Sequence, residues 1–288
     1  FDDIDDANAS ITKAATSSDP SLVTVTVSGD TLTLDYQDDQ TGDANVTVTA
    51  TSNGQMVDEV FAVTVNEAND PPVVGNLNGG NLAYAEGDGA VVVDSDATVS
   101  DIDSPNFNGG ALLVDISGSV STVDVLSIAD EGAGPGQIGV SGSNVNFAGA
   151  TIGTLFPMSV TTSLQIDLNA NATIAATQAL IRKITYENTD TSAPTTGGRG
   201  VTFTLVDDDG GLAFNSMTVT VNAVDDGPVV ANVLQDLEVN EDAADSTIDL
   251  ANVFNDVDDA NASITKTAAS TDPSLITVSV SGDVLTLD

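Results

Sequence analysis

Thirty-five residues recur almost unchanged in this 288-residue chain: residues 1–35 align without a gap to residues 254–288, an offset of 253, with 27 identities. Identity at this level is a tandem duplication and points to a fold built from repeating units. If the second copy's unit starts at Gly227, just after Asp225-Asp226, then residues 227–253 supply 27 residues with no counterpart in the first copy. Added to the 70 residues ending at Asp70 they make 97, close to the roughly 100 residues of an immunoglobulin-like sandwich. Residues 71–226 are 156 residues of unlike sequence. The expectation is an alternating A-B-A array cut inside both outer units: 1–70, 71–226 and 227–288.

The periodicity is that of strands. "LVTVTVSGDTLTLD" (22–35) alternates apolar and Ser/Thr residues around a Ser-Gly-Asp turn, and "ANVTVTATSNGQMVDEVFAVTV" (44–65) repeats the form around Asn-Gly; both predict hairpins. "GQIGVSGSNVNFAGATIGTLF" (136–156) predicts a third. One stretch, "NATIAATQALIRKI" (171–184), places Ile174, Thr177, Leu180, Ile181 and Ile184 on a helical stripe, read as a core-facing helix and not a site. The expected class is all-β: tandem immunoglobulin-like β-sandwiches, with one short helix in the middle domain.

Composition narrows the chemistry. Histidine and cysteine are absent, which removes Ser-His-Asp and Cys-His nucleophiles, imidazole or thiolate zinc sites and disulfides. Forty-four acidic against five basic residues leave a formal charge of −39, so nucleic acid and anionic membrane are not expected partners. No apolar run approaches the roughly 20 residues of a membrane span. The chain opens without Met or a leader-like segment and stops in mid-pattern at "DVLTLD", which reads as a slice of a longer array.

The acidic residues gather at "NEANDPP" (66–72), "SDIDS" (100–104), "VDDDGG" (206–211), "AVDDGP" (223–228), "NED" (240–242) and "NDVDD" (255–259). Two carboxylates about 4 Å apart repel by about 1 kcal/mol in water and by several times more at lower dielectric. A divalent cation reverses that sign. Calcium takes 6 to 8 oxygens in loose geometry, from carboxylates, Asn side chains and backbone carbonyls.

The linker "NEANDPPVV", the pairs "DID" and "DVD", the glutamates in "YAEGD" and "VNEDA", and "VDDDGG" together resemble, in order and repetition, the calcium motifs of cadherin repeats, as found in cadherin-like domains of large bacterial surface adhesins. The resemblance implies calcium at the junctions of neighbouring repeats. At the first junction it implies Glu67, Asn69 and Asp70 from the linker, Asp101 and Asp103 from the next unit, and Asp207 from its later turn. At the second it implies Glu86, Asp225, Asp226, Asp256 and Asp258. Asp3 and Asp5 would face an upstream unit and Glu241 a downstream one. The family's Leu-Asp-Arg-Glu string is absent, and Asp225-Asp226-Gly227 stands where Asn-Asp is expected; this implies one or two ions per junction. It further implies a secreted or surface location, neighbouring repeats of the same chain as partners, and a cell-surface protein or polysaccharide as adhesive target.

Other readings stand beside it. The acids are also what a solvated, solubility-maintaining surface contains, and the loop "DYQDDQTGD" (35–43) is read that way. A carbohydrate-binding module would call for exposed aromatic platforms, against 3 Tyr, 8 Phe and no Trp. Paired carboxylates could serve a glycosidase, but these lie at unit ends, not at the lip of one pocket, so no catalytic residue is assigned. The two incomplete outer units predict weak self-association, in which residues 227–253 of one molecule complete the sandwich of another.

Overall fold

The computed structural model describes residues 1, 2, 4, 10–77, 81–156 and 162–288. The chain is all-β with one α-helix among the described residues, as the periodicity predicts. It divides into two compact units: Phe1–Asp70 with Asp101–Asp103, and Pro71–Ser100 with Ser104–Asp288.

In the first unit, β1 (Thr12–Ser17), β4 (Gly42–Ser52) and β5 (Gln55–Val65) form an antiparallel sheet in the order β1-β4-β5. A second sheet is the hairpin of β2 (Val23–Ser28) and β3 (Thr31–Tyr36). Asn53 and Gly54 turn β4 into β5 with φ of 50° and 78°, the double positive φ that a two-residue type I′ turn needs and that Asn-Gly tolerates. Leu22 and Val23 bury themselves against Ala44, with Leu34 and Val65 at the margin. Lys13 on β1 is ion-paired to Asp30 of the β2–β3 turn.

The second unit opens with β6 (Val73–Gly75), β7 (Asn81–Ala85), β8 (Val91–Val92) and β9 (Thr98–Ser100). There follow β10 (Ala111–Gly118), β11 (Asp124–Ile128), β12 (Ile138–Ser141), β13 (Asn144–Phe147), β14 (Ala150–Leu155) and β15 (Ser163–Leu168). Helix α1 (Ile174–Ile181), β16 (Ile184–Asn188), β17 (Gly197–Val206) and β18 (Leu212–Asn222) complete its body. Eight strands form one sheet in the order β12-β13-β14-β15-β10-β17-β18-β7, while β11-β16-β8 and β6-β9 are smaller sheets. The third expected hairpin is present as the meander β12-β13-β14. The core between them holds Leu112, Val114, Ile166, Phe203 and Leu205, all fully buried.

Thr173 caps α1 by accepting from the Ala176 N–H. Thr177, Leu180 and Ile181 are buried as expected, but the stripe's last member, Ile184, lies on β16. The chain leaves the helix at Arg182, and Ile184 reaches the same core from a strand. Beneath, Tyr84 and Tyr186 meet edge-to-face at 5.1 Å, and Arg199, wholly buried, donates to Asp124 at 3.3 Å and to the carbonyls of Gly197 and Thr195.

The last 62 residues form β19 (Val229–Val230), β20 (Ser246–Asp249), β21 (Phe254–Asn255), β22 (Val278–Ser281) and β23 (Val284–Leu287). β19 pairs with β21, and β20-β23-β22 form a sheet. The duplicated sequence does not fold identically. "ITKAATS" (11–17) carries β1, whereas "ITKTAAS" (264–270), identical at five of seven positions, forms no strand. β1 exists by pairing with β4. A lone strand leaves its backbone groups to water, so the pairing partner, not the propensity, decides.

Candidate metal centre

Each acidic linker runs into a short strand paired with the strand that ends just before an Asp-x-Asp. Val73 of β6 lies opposite Ser100 of β9, and Val229 of β19 lies opposite Asn255 of β21. Proline at 72 and 228 restricts the linker to extended conformers at the strand's start. The register brings the last linker aspartate to the Asp-x-Asp in the same way twice. The Asp70 N–H donates to Asp103 Oδ2 at 2.8 Å, and the Asp226 N–H donates to Asp258 Oδ2 at 2.7 Å. Within each pair the first aspartate accepts from the backbone of the second: Asp103 N–H to Asp101 Oδ1 at 3.3 Å, Asp258 N–H to Asp256 Oδ1 at 3.1 Å. These Asx turns hold two carboxylates side by side beside the linker.

Within the second unit, α1 fixes β9: Gln178 Oε1 accepts from the Val99 N–H at 3.2 Å, and Arg182 Nε donates to the Ala97 carbonyl at 2.7 Å. Asn215 holds β6 through the Val74 carbonyl at 3.0 Å. A side-chain tie recurs after each linker: Asn76 donates to the Asp96 carbonyl and Asn232 to that of Asn252.

In the first unit Glu67, Asp70 and Asp103 line one open cleft together with Asp38, Asp39 and Gln40 of the loop between β3 and β4. Partial burial, the Asp39 and Asp103 carboxylates, and a hydrogen bond with Asp39 push Asp70 above the ordinary aspartate range. Asp39 is thus a member of the cluster that the sequence reading assigned to a solvated loop. It is exposed, as expected, with a backbone φ of 56°, and its carboxylate interacts with that of Asp70. No spacing signal marks it in "DYQDDQTGD", because the contact is made between residues 31 positions apart.

The remaining candidates are placed less uniformly. Asn69 and Asp225 are exposed on their linkers. Asp207, in the second unit, is almost fully buried, and its Oδ1 accepts from the Asp209 and Gly211 N–H groups, closing its own turn. Glu86 grips the second linker: Oε2 accepts from the Val224 N–H at 3.1 Å, while Oε1 is buried with no hydrogen-bond partner among the described residues. Glu241 is exposed in a turn. Asp3 and Asp5 lie outside the described residues. Among the described residues no three acidic side chains stand together closely enough to hold an ion by themselves.

Chemically, the donor set is oxygen only and strongly anionic, which suits a hard cation and no soft one. Glu86 Oε1, buried without a donor, is the kind of oxygen a cation would satisfy.

No family model matches the chain, and no curated protein is similar to it. Among solved structures it is similar to mouse cadherin-23 EC22-24, at 15% identity and a TM-score of 0.42, over 99% of this chain and 77% of that one. It is also similar to human protocadherin-24 EC1-2, at 14% identity and a TM-score of 0.33, over 78% and 86%. A third is the endo-fucoidan hydrolase MfFcnA4 of glycoside hydrolase family 107, at 12% identity and a TM-score of 0.21, over 96% of this chain and 34% of that one.

Proposed function

We propose that this chain is an extracellular structural and adhesive module of cadherin-like repeats, 1–70, 71–226 and 227–288, stiffened by calcium at its acidic linkers. The observation that carries the reading is the twice-built clasp, in which the linker aspartate's N–H meets the second carboxylate of an Asp-x-Asp at 2.8 and 2.7 Å. One occurrence is an Asx turn near a linker. Two, at linkers of different sequence, are a device that sets carboxylates from the end of one repeat against those at the start of the next.

Asp70, Asp101 and Asp103, with Glu67 and Asn69, would hold an ion at the first linker; Glu86, Asp226, Asp256 and Asp258, with Asp225, at the second. The cation's part is to neutralise carboxylates that otherwise repel. This chain's own part is to preset the paired aspartates through backbone hydrogen bonds, and to complete the oxygen shell with carbonyls, since three side chains do not converge unaided. Asp207 serves its turn first. The long-range consequence is mechanical: repulsion lets the linkers swing, and a shared ion joins neighbouring repeats into a rod.

The test is calcium titration by calorimetry with thermal melting, at fixed ionic strength. At a concentration about 100 times the dissociation constant, binding adds about 2.7 kcal/mol per site to the folded state. Saturable binding with a rise in Tm is expected. Asp103→Asn and Asp258→Asn, which keep an oxygen acceptor but remove the charge, are expected to lower affinity at least tenfold at their own linker. Equal stabilisation by magnesium or by added sodium would return the acids to the role of a solvated surface.

A further inference from the structure

Strands β15, β10, β17 and β18 of the second unit lie side by side, and their registers set residues in rows across the sheet. Ile166, Leu112, Leu205 and Ala213 form one row, and Leu164, Val114 and Phe203 form another; all are buried in the core. Side chains alternate between faces along a strand, so the row between these two points the other way. It reads Gln165, Leu113, Thr204, Phe214. Phe156 at the end of β14, whose N–H donates to the Gln165 carbonyl at 2.9 Å, extends the row by one strand. Phe214 is 78% exposed and Phe156 38%.

Apolar and hydrogen-bonding side chains alternate along this row. Beside Phe214 on the same face, the opposed pair Val206 and Leu212 widens its apolar end, with Leu212 57% exposed. The rim is acidic and preset. Gln165 donates to Asp167 Oδ1 at 2.8 Å, and Ser163 donates to Asp115 Oδ1 at 2.5 Å; both carboxylates are exposed. No cation stands among them, because Arg199, the only basic residue on these four strands, is wholly buried. Exposed apolar side chains inside a polar rim mark an interaction surface.

We propose that this row is a binding platform for a neutral polysaccharide laid across the strands, one pyranose ring to each. Strands lie 4.7–4.9 Å apart, close to the advance of an extended pyranose chain per ring, so the four spacings from Phe156 to Phe214 make a track of about 19 Å. The C–H face of a ring stacks on Phe214, whose π face is negative. Ring hydroxyls exchange hydrogen bonds with Gln165 and Thr204 and donate to Asp167 and Asp115. Other occupants fit less well. A purely apolar partner would bury Gln165 and Thr204 without new hydrogen bonds. An anionic polymer, or a second copy of a chain carrying −39, would bring negative charge against Asp115 and Asp167. A peptide finds no edge to extend, since each strand of the row is paired on both sides. The inference rests on the adhesive part of the proposed function, whose target it names by chemistry, and not on calcium.

The test is affinity electrophoresis of the full chain with chelator present, so that failure of the calcium reading and failure of this one are seen separately. Native gels are cast with hydroxyethyl cellulose or galactomannan as neutral probes and with alginate as the anionic one. Retardation by at least one neutral polymer and none by alginate is expected. Phe214→Ala is expected to weaken retardation at least tenfold, and Gln165→Ala to weaken it as well, whereas Phe214→Trp keeps or strengthens it. Because Phe214 is exposed, its variants are expected to melt with the parent chain, which separates lost binding from lost folding. No retardation by either neutral polymer, equal retardation by alginate, or parent-like retardation of Phe214→Ala would each overturn the proposal. So would a sedimenting dimer that Phe214→Ala dissolves, which would assign the face to a second copy.

Discussion

All five basic residues are committed. Lys13 pairs with Asp30, Lys266 with Asp283, Lys183 with Glu131, and Arg199 with Asp124; Arg182 is spent on backbone carbonyls. None is left to neutralise a linker. The Arg199 network is the most demanding of these sites. Burial raises the Asp124 carboxyl, but hydrogen bonds from Tyr186, the Ser121 N–H and Asn188, with the Arg199 charge, hold it below the ordinary range. Arg199→Met, which strands a buried carboxylate, is expected to cost about 3–5 kcal/mol in chemical denaturation. A depressed carboxyl stabilises the fold above its unfolded value, near pH 4, and loses that contribution as pH falls toward the folded one; acid melts of the variant should therefore fall less steeply there. Asp70 has the opposite sign. Being raised, it costs stability once ionised, so Asp39→Asn is expected to raise Tm at pH 7 and to leave it unchanged near pH 3, as calorimetry at the two values would show. The Asp-x-Asp pairs and linkers were legible as residues, because oxygen donors at unit ends carry their own signature. Asp39 was not, because its contact is with a residue 31 positions away.

Hairpins were the elements most fully written in the sequence, since an alternating run and its turn are local. Asn53-Gly54 and the Ser-Gly-Asp turn fall where expected. Gly54→Val, which forces a β-branched residue to φ near 78°, is expected to cost about 1–2 kcal/mol in denaturant titrations. Gly110 shows a different demand, invisible in sequence: a Cβ there would lie 2.0 Å from the Val206 carbonyl oxygen. Gly110→Ala is expected to lose about 1–3 kcal/mol, with a correspondingly lower Tm, by forcing apart the turn that Asp207 closes. Helix α1 was legible from its stripe, but its role in holding β9 through Gln178 was not, for that hydrogen bond spans 79 positions.

At the scale of the molecule, the excess of negative charge predicts that Tm rises with sodium chloride at low ionic strength, before any calcium is added, because like charges repel over a Debye length of about 30 Å at 0.01 M and about 10 Å at 0.1 M. A melting series in chelator checks this. The repeat, the all-β class, the hairpin turns and an oxygen-only donor set followed from sequence alone, since each depends on local periodicity or on which side chains exist at all. The tertiary structure decided the rest. It set the register that carries Asp70 to Asp103 and Asp226 to Asp258, and it brought Asp39 into the first cluster. It also made a strand of "ITKAATS" while leaving "ITKTAAS" without one. These outcomes turn on which backbone groups find partners far along the chain, and a run of residues cannot specify a strand whose hydrogen bonds belong to another segment.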